Sequence, residues 1–238
     1  MLKIKNYSME YVKNKKVIDN ITLSVREGDI YAFVGRNGAG KTTTLKSIVG
    51  INHITEGDII LNDVSIQKNP VKYKSMIAYV PDNPILYEHL TGIQYLNFIA
   101  DIYDMTYKKR KEKIEEYANK FELYNDLGNL ISSYSHGMKQ KLVLIATFMH
   151  DPLLYVLDEP FVGLDPKASF TLKEELKRKA KEGKIIFFST HVLDVAEKLC
   201  NRIAIIKHGK LIVDGEMERI IKDKSLEQVF MELVVEDE

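Results

Sequence analysis

Gly35-Arg36-Asn37-Gly38-Ala39-Gly40-Lys41-Thr42-Thr43 is the stretch that decides the reading of this 238-residue chain. It matches the pattern G-x-x-x-x-G-K-[ST] and directly follows an apolar run, Ile30-Tyr31-Ala32-Phe33-Val34. A helix-like segment, 44–49, comes next and stops at Gly50. Strand, glycine loop and helix in that order are the context in which the pattern has a physical meaning. Gly35, Gly38 and Gly40 let the backbone curl into a nest of inward-pointing N–H groups, which suits an anion. The helix behind it adds its positive dipole end and its unpaired amides. Lys41 is placed to reach β- and γ-phosphates, and the Thr42 hydroxyl to hold a Mg²⁺ ion. The segment predicts a nucleoside triphosphate site.

Composition limits what surrounds that site. The chain is 45% hydrophobic and 29% charged, as expected for a soluble globular protein, and long enough for a substantial core. Lys plus Arg, 34, equals Asp plus Glu, 34, so no overall field draws the chain to nucleic acid or anionic lipid. The longest apolar stretch, 142–149, is far below the roughly 20 residues of a membrane span. Met1-Leu2-Lys3-Ile4-Lys5-Asn6 lacks a signal-peptide core, and the single Cys200 leaves no internal disulfide. These features predict a cytoplasmic location.

Outward from the loop, short apolar runs at 17–25, 30–34, 59–66 and 76–80 read as strands of a partly antiparallel sheet around it. Turn signals such as Glu27-Gly28-Asp29 and Glu56-Gly57-Asp58 separate them. From Thr91 the period becomes helical: Ile93, Leu96, Ile99 and Ala100 share one face, with Thr91 as N-cap. A charged helix is expected at 106–124, striped by Ile114, Tyr117, Ala118 and Phe121, and a third at 135–149. Alternation then returns: strand 153–157, helix 167–181, strand 185–189, helix 193–200, strand 202–206. Such alternation implies a mainly parallel sheet covered on both faces. His208-Gly209-Lys210 reads as a tight turn joining two edge strands. The expected organisation is an α/β core at 1–83 and 151–215, an inserted helical lobe at 84–150, and a helical tail at 216–238 with a frayed acidic end.

A phosphate loop alone leaves kinase, small GTPase, helicase and transport ATPase open. Further segments narrow the choice. Leu153-Leu154-Tyr155-Val156-Leu157-Asp158-Glu159 is an apolar strand ending in two carboxylates, which at the C-terminal end of a parallel strand face the ligand crevice. Asp158 suits Mg²⁺ held through water, and Glu159 suits orienting or deprotonating an attacking water. Gly163-Leu164-Asp165-Pro166 follows, then Phe187-Phe188-Ser189-Thr190-His191, whose histidine lies where it can hydrogen-bond a γ-phosphate. Tyr134-Ser135-His136-Gly137-Met138-Lys139-Gln140 opens the third helix, with Ser135 a natural N-cap and the helix end an anion site.

Together these segments resemble the nucleotide-binding subunit of ATP-binding cassette (ABC) transporters, over essentially the whole chain. Residues 35–43 are similar to the Walker A loop and 154–159 to Walker B. Residues 134–138 are similar to the signature motif, 163–166 to the D-loop, and His191 to the switch histidine. Tyr11 matches the aromatic that stacks on adenine. The resemblance implies an α/β P-loop NTPase fold of the ABC ATPase type: a mainly parallel sheet core, an antiparallel β subdomain and an inserted helical lobe. It implies ATP and Mg²⁺ as ligands and ATP hydrolysis as the activity. The implied catalytic residues are Glu159, His191 and Lys41. The implied nucleotide contacts are Tyr11, Gly35, Arg36, Asn37, Gly38, Ala39, Gly40, Lys41, Thr42 and Thr43. Ser135 and Gly137 would act in trans, from a second or paralogous copy, and an integral membrane permease would be the other partner at the cytoplasmic face of the membrane.

Two departures refine the resemblance. The usual signature has glycine and glutamine where this chain has His136 and Met138. The form Tyr-Ser-His-Gly-Met-Lys-Gln is similar to the branch that exports drugs, peptides or polysaccharide through separate membrane subunits. The glutamine expected after Val80-Pro81 is replaced by Asp82, followed by Asn83. Asp82 offers a hard oxygen suited to Mg²⁺; either Asp82 or Asn83 takes the place of that glutamine.

Overall fold

A computed structural model describes residues 1–235 of the chain. In chain order the first elements are β1 (Leu2–Val12), β2 (Lys15–Val25), β3 (Ile30–Val34), α1 (Lys41–Ile48), β4 (Glu56–Leu61), β5 (Val64–Ser65), α2 (Pro70–Lys74) and β6 (Ile77–Val80). Helices α3 (Gly92–Ile102), α4 (Tyr107–Lys120) and α5 (His136–Met149) follow. Strand and helix then alternate as β7 (Leu154–Asp158), α6 (Pro166–Lys181), β8 (Ile185–Thr190), α7 (Leu193–Leu199) and β9 (Arg202–Lys207). The remaining elements are β10 (Lys210–Glu216), α8 (Met217–Ile221) and α9 (Leu226–Phe230), with a π-helical turn at Met231–Val235.

The residues divide into two compact units. The first comprises Met1–Tyr79, Leu153–Pro160 and the chain from Leu176 onward; the second comprises Val80–Pro152 and Phe161–Glu175. A four-stranded antiparallel sheet in the order β2-β1-β4-β5 belongs to the first unit. A six-stranded sheet has the order β10-β9-β3-β8-β7-β6. Within it β9, β3, β8 and β7 run parallel, and β10 runs antiparallel to β9. Strands β3, β7 and β8 are buried at every position, the continuous apolar pattern of a parallel sheet covered on both faces.

Several expectations change here for identifiable reasons. The stretch 59–66 is not one strand: Asn62 and Asp63 adopt φ of 47° and 61°, a two-residue hairpin turn between β4 and β5. Strand β1 is absent from the sequence reading because its alternation changes phase. Leu2 and Ile4 point inward, Asn6 takes φ 47°, and a bulge then puts Tyr7 inward as well. The runs 30–34 and 76–80 contribute to the six-stranded sheet rather than to the antiparallel one. The turn after β9 joins one edge strand, β10, to an interior strand, since β9 also pairs with β3 through Tyr31 and Arg202. Helix α4 stops at Lys120, before Glu122 at φ 54°, and the tail is broken at Lys222, φ 47°. The acidic end, 236–238, lies outside the described residues.

In the second unit, α3 opens with a capping box: Gln94 N–H donates to Thr91 Oγ1 at 3.3 Å and Thr91 N–H to Gln94 Oε1 at 2.8 Å. The apolar stripe of α4 packs on α5, with the Tyr117 ring 5.5 Å and the Phe121 ring 6.1 Å from Phe148. Lys120 joins the pair by donating to Glu116 at 2.9 Å and Glu175 at 2.7 Å. The core of the first unit centres on Phe187, fully buried on β8, whose ring stacks 5.3 Å from Tyr31 and lies 5.5 Å from Phe33. Phe187→Ala opens a cavity among rigid neighbours and should cost about 3–5 kcal/mol. A urea-unfolding midpoint that falls with an unchanged slope is the expected reading.

Candidate nucleotide site

Strand register places the site. In the parallel sheet Val34 pairs with Thr190, and Asp158 with Ser189, so β3, β7 and β8 end at one level. Their following residues, the 35–40 loop, Glu159 and His191, therefore emerge along the same carboxyl edge, where open α/β sheets bind ligands. All of these residues belong to the first unit.

The loop is held by backbone contacts. Ala39 N–H closes on Arg36 O at 3.1 Å, and Thr44 N–H on Gly40 O at 2.9 Å. Gly209 N–H, from the β9–β10 turn, donates to Ala39 O at 3.0 Å. A Cβ at Gly35 would meet Ile206 O at 2.6 Å, so a side chain there cannot be accommodated without shifting the sheet. Gly40, the residue before α1, sits at φ 110°, a conformation that favours glycine. Helix α1 then starts at Lys41 with its first-turn amides turned toward the loop.

Lys41 is buried and lies along its own loop, donating from Nζ to Gly35 O at 2.6 Å and to Arg36 O at 3.3 Å. Burial lowers its pKa, while the Glu159 and Asp158 carboxylates oppose that shift. The ammonium and both carboxylates thus share one electrostatic neighbourhood. Arg36, Asn37, Gly38 and Ala39 line a cavity of about 250 Å³ with Ile206, Lys207, His208 and Val234. Tyr11, 59% exposed on β1, touches Thr43 Oγ1 through its hydroxyl at 3.3 Å.

The two carboxylates differ in setting. Asp158 is fully buried and accepts a 2.5 Å hydrogen bond from the Ser189 hydroxyl. Glu159 turns the chain with φ 48°, an uncommon conformation for a side chain of that length, of the kind that costs about 1–3 kcal/mol. Ser189 also steadies that turn, its Oγ accepting from Glu159 N–H at 3.1 Å. Glu159 Oε1 lies 3.0 Å from His191 Nδ1, and His191 N–H donates to Glu159 Oε2 at 3.4 Å. The structure thereby brings together Lys41, Asp158, Glu159 and His191. Ser189 was overlooked in the sequence. Its signal was a hydroxyl in the otherwise apolar run Ile185-Ile186-Phe187-Phe188, at the level of Asp158.

Asp82, Ser135 and Gly137 belong to the second unit. Asp82 accepts from Asn83 N–H at 2.8 Å. Ser135 caps α5, its Oγ accepting from Met138 N–H at 3.2 Å, and its own O–H remains a donor. Gly137 lies against the 163–166 segment: a Cβ there would meet Gly163 O at 2.8 Å. Lys141 pairs with Asp165 at 2.6 Å, and Asp165 in turn caps α6 through Ala168 N–H at 2.8 Å. Lys141, then the Ala168 amide, holds the Asp165 carboxyl below its ordinary pKa.

The fold and the loop define a P-loop nucleotide-binding protein. The family model described as "ABC transporter" matches residues 18–162, and the chain belongs to that family as an ATP-binding subunit. The chain is 32% identical over 242 residues to the ABC-type transporter ATP-binding protein EcsA of Bacillus subtilis, covering 100% of this chain and 98% of EcsA. It is 34% identical over 219 residues to the SkfA peptide export ATP-binding protein SkfE of the same organism, covering 90% and 88% of the two chains. A dimeric structure of the ATP-binding cassette MJ0796, in a post-hydrolysis state bound to ADP and Pi, superposes with a TM-score of 0.83 at 22% identity. The match covers 91% of this chain and 99% of that one, and it shows the shared fold. Among the described residues, no helix is long and apolar enough to cross a membrane.

Ser189→Ala removes both the hydroxyl on Asp158 and the acceptor at the Glu159 turn. ATP turnover should fall by about tenfold to a hundredfold through misplacement of Glu159. The ATP dissociation constant should stay within about twofold, because phosphate binding rests on the 35–43 loop and not on Ser189.

Proposed function

We propose that this chain is the ATP-hydrolysing subunit of an ABC exporter, working through a separate integral membrane permease at the cytoplasmic face of the membrane. The observation that carries this reading is the Glu159–His191 pair, 3.0 Å apart, on the carboxyl edge that also carries the Lys41 loop. A carboxylate whose backbone turn is held by Ser189 and which pairs with an imidazole suits orienting a water for attack on a γ-phosphate. Lys41 would exchange the carbonyls of Gly35 and Arg36 for phosphate oxygens, placing its charge where negative charge gathers in the transition state. Tyr11 is placed to stack on the adenine, and Gly35, Arg36, Asn37, Gly38, Ala39, Gly40, Thr42 and Thr43 to wrap the phosphates.

The donor set fits Mg²⁺. The Thr42 hydroxyl and the Asp158 carboxylate are hard oxygens, with Asp82 as a further candidate, and Asp158 is already fixed by Ser189. Bound there, the ion would neutralise phosphate charge. Export as the direction is supported by the Tyr134–Met138 motif variant and by the likeness to SkfE, whose name records peptide export. A head-to-tail pair is supported by the dimeric state of MJ0796. In that pair Ser135 and Gly137 of one copy would cover the nucleotide held by Lys41 of the other, the second copy being identical or paralogous. A ligand that binds only the closed pair stabilises it by about 2.7 kcal/mol at a hundredfold excess over its dissociation constant.

Glu159→Gln tests the reading. The amide keeps the size of the carboxylate but not its basicity, so turnover should fall by at least about a hundredfold. ATP binding should be retained, and with ATP and Mg²⁺ the variant should sediment as a dimer. Undiminished turnover would exclude Glu159 as the group that handles the water.

A further inference from the structure

We propose that Asn52 is a positioning residue for nucleotide binding: it fixes the Tyr11 ring in the place where the base stacks. The inference rests on the reading of Tyr11 given above. Tyr11 stands near the end of β1 and is 59% exposed, so nothing packs firmly around its ring. A free aromatic side chain at such a position samples several rotamers, and ordering it on binding costs affinity. Its hydroxyl, however, is held from two sides. Thr43 Oγ1 lies 3.3 Å away, and Asn52 Nδ2 donates to the phenol oxygen at 3.1 Å.

Asn52 uses both hydrogens of its amide. The same Nδ2 also donates to Thr43 O at 3.3 Å. One amide thus joins the base-side residue Tyr11 to the loop residue Thr43, which lie 32 positions apart in the sequence. Asn52 is itself anchored to α1. After Gly50, at φ 71°, the chain folds back so that Ile51 N–H and Asn52 N–H both donate to Lys46 O, at 2.8 and 3.2 Å. Any placement of α1 on the phosphates is therefore transmitted through Asn52 to the ring. The arrangement gives the base a preset surface, so that the part of the nucleotide beyond the phosphates finds its contact already ordered.

The two bonds of Asn52 make separable predictions. If it acts through Tyr11, its loss affects ligands that carry a base and leaves untouched a ligand that consists only of phosphates. The experiment is calorimetric titration of the full chain with ATP and, separately, with inorganic tripolyphosphate, both with Mg²⁺. Asn52→Ala should raise the ATP dissociation constant by about threefold to tenfold, the effect of one lost hydrogen bond. It should leave tripolyphosphate affinity and the melting temperature of the free protein unchanged. Tyr11→Phe should produce a weakening of similar size. The double variant should be no weaker than either single one, because both remove the same contact. Equal losses for ATP and tripolyphosphate would overturn the proposal, since Asn52 would then act on the loop through Thr43. Additive losses in the double variant would overturn it too. If Tyr11→Ala leaves ATP affinity intact, the base-stacking role fails and the proposal fails with it. If Tyr11→Ala weakens ATP and Asn52→Ala does not, the stacking role stands and only the proposal is overturned.

Discussion

A close backbone approach beside the 35–40 loop is the contact on which the molecule's chemistry depends. The loop at 35–40 rests against the end of β9 so tightly that a Cβ at Gly35 would lie 2.6 Å from Ile206 O. The Gly209 amide fixes the other side by donating to Ala39 O at 3.0 Å. A loop wedged in this way keeps its shape, with Ala39 N–H closing on Arg36 O at 3.1 Å. The dipole end of α1, the Lys41 ammonium and the strand-end carboxylates are then arranged around a loop whose shape is already set. Electrostatic stabilisation is effective when the donors do not need to reorganise.

Around that loop the molecule holds residues in conformations that cost energy and binds them with short polar contacts. Glu159 sits at φ 48° and is kept there by the Ser189 hydroxyl and by its pairing with His191. The second unit shows the same economy of parts. Helix α5 begins at a serine cap, its Gly137 presses on the Gly163 carbonyl, and Lys141 ties it to Asp165, which starts α6. The α5 end and the 163–166 segment therefore behave as one piece.

Much of this was legible before the structure. The 35–43 pattern, the apolar β7 ending in Asp158 and Glu159, and the polar end of β8 each carry a periodicity or a motif that local physics explains. Strand–helix alternation similarly pointed to the parallel sheet. What was not legible depends on contacts far apart in sequence or on single backbone angles. Strand β1 escaped because Asn6 and the bulge after Ile4 change the face that alternate residues present. The β4–β5 hairpin escaped because an Asn-Asp turn looks like an interruption of one strand. Ser189 and Asn52 escaped for another reason: a lone hydroxyl or amide has no pattern of its own, and its meaning arises only when Asp158 or Tyr11 is brought within 3.1 Å or less of it.

The preset loop is tested by the Gly35→Ala variant, whose added methyl presses directly on Ile206 O at the end of β9. Calorimetric titration with ATP and Mg²⁺, beside a far-ultraviolet circular dichroism spectrum, separates binding from folding. The added methyl should leave the secondary structure intact and weaken nucleotide binding by at least about tenfold, the loss that follows when preorganised contacts are displaced. Affinity equal to that of the unaltered chain would show that the contact between the loop and the end of β9 does not set the nucleotide site.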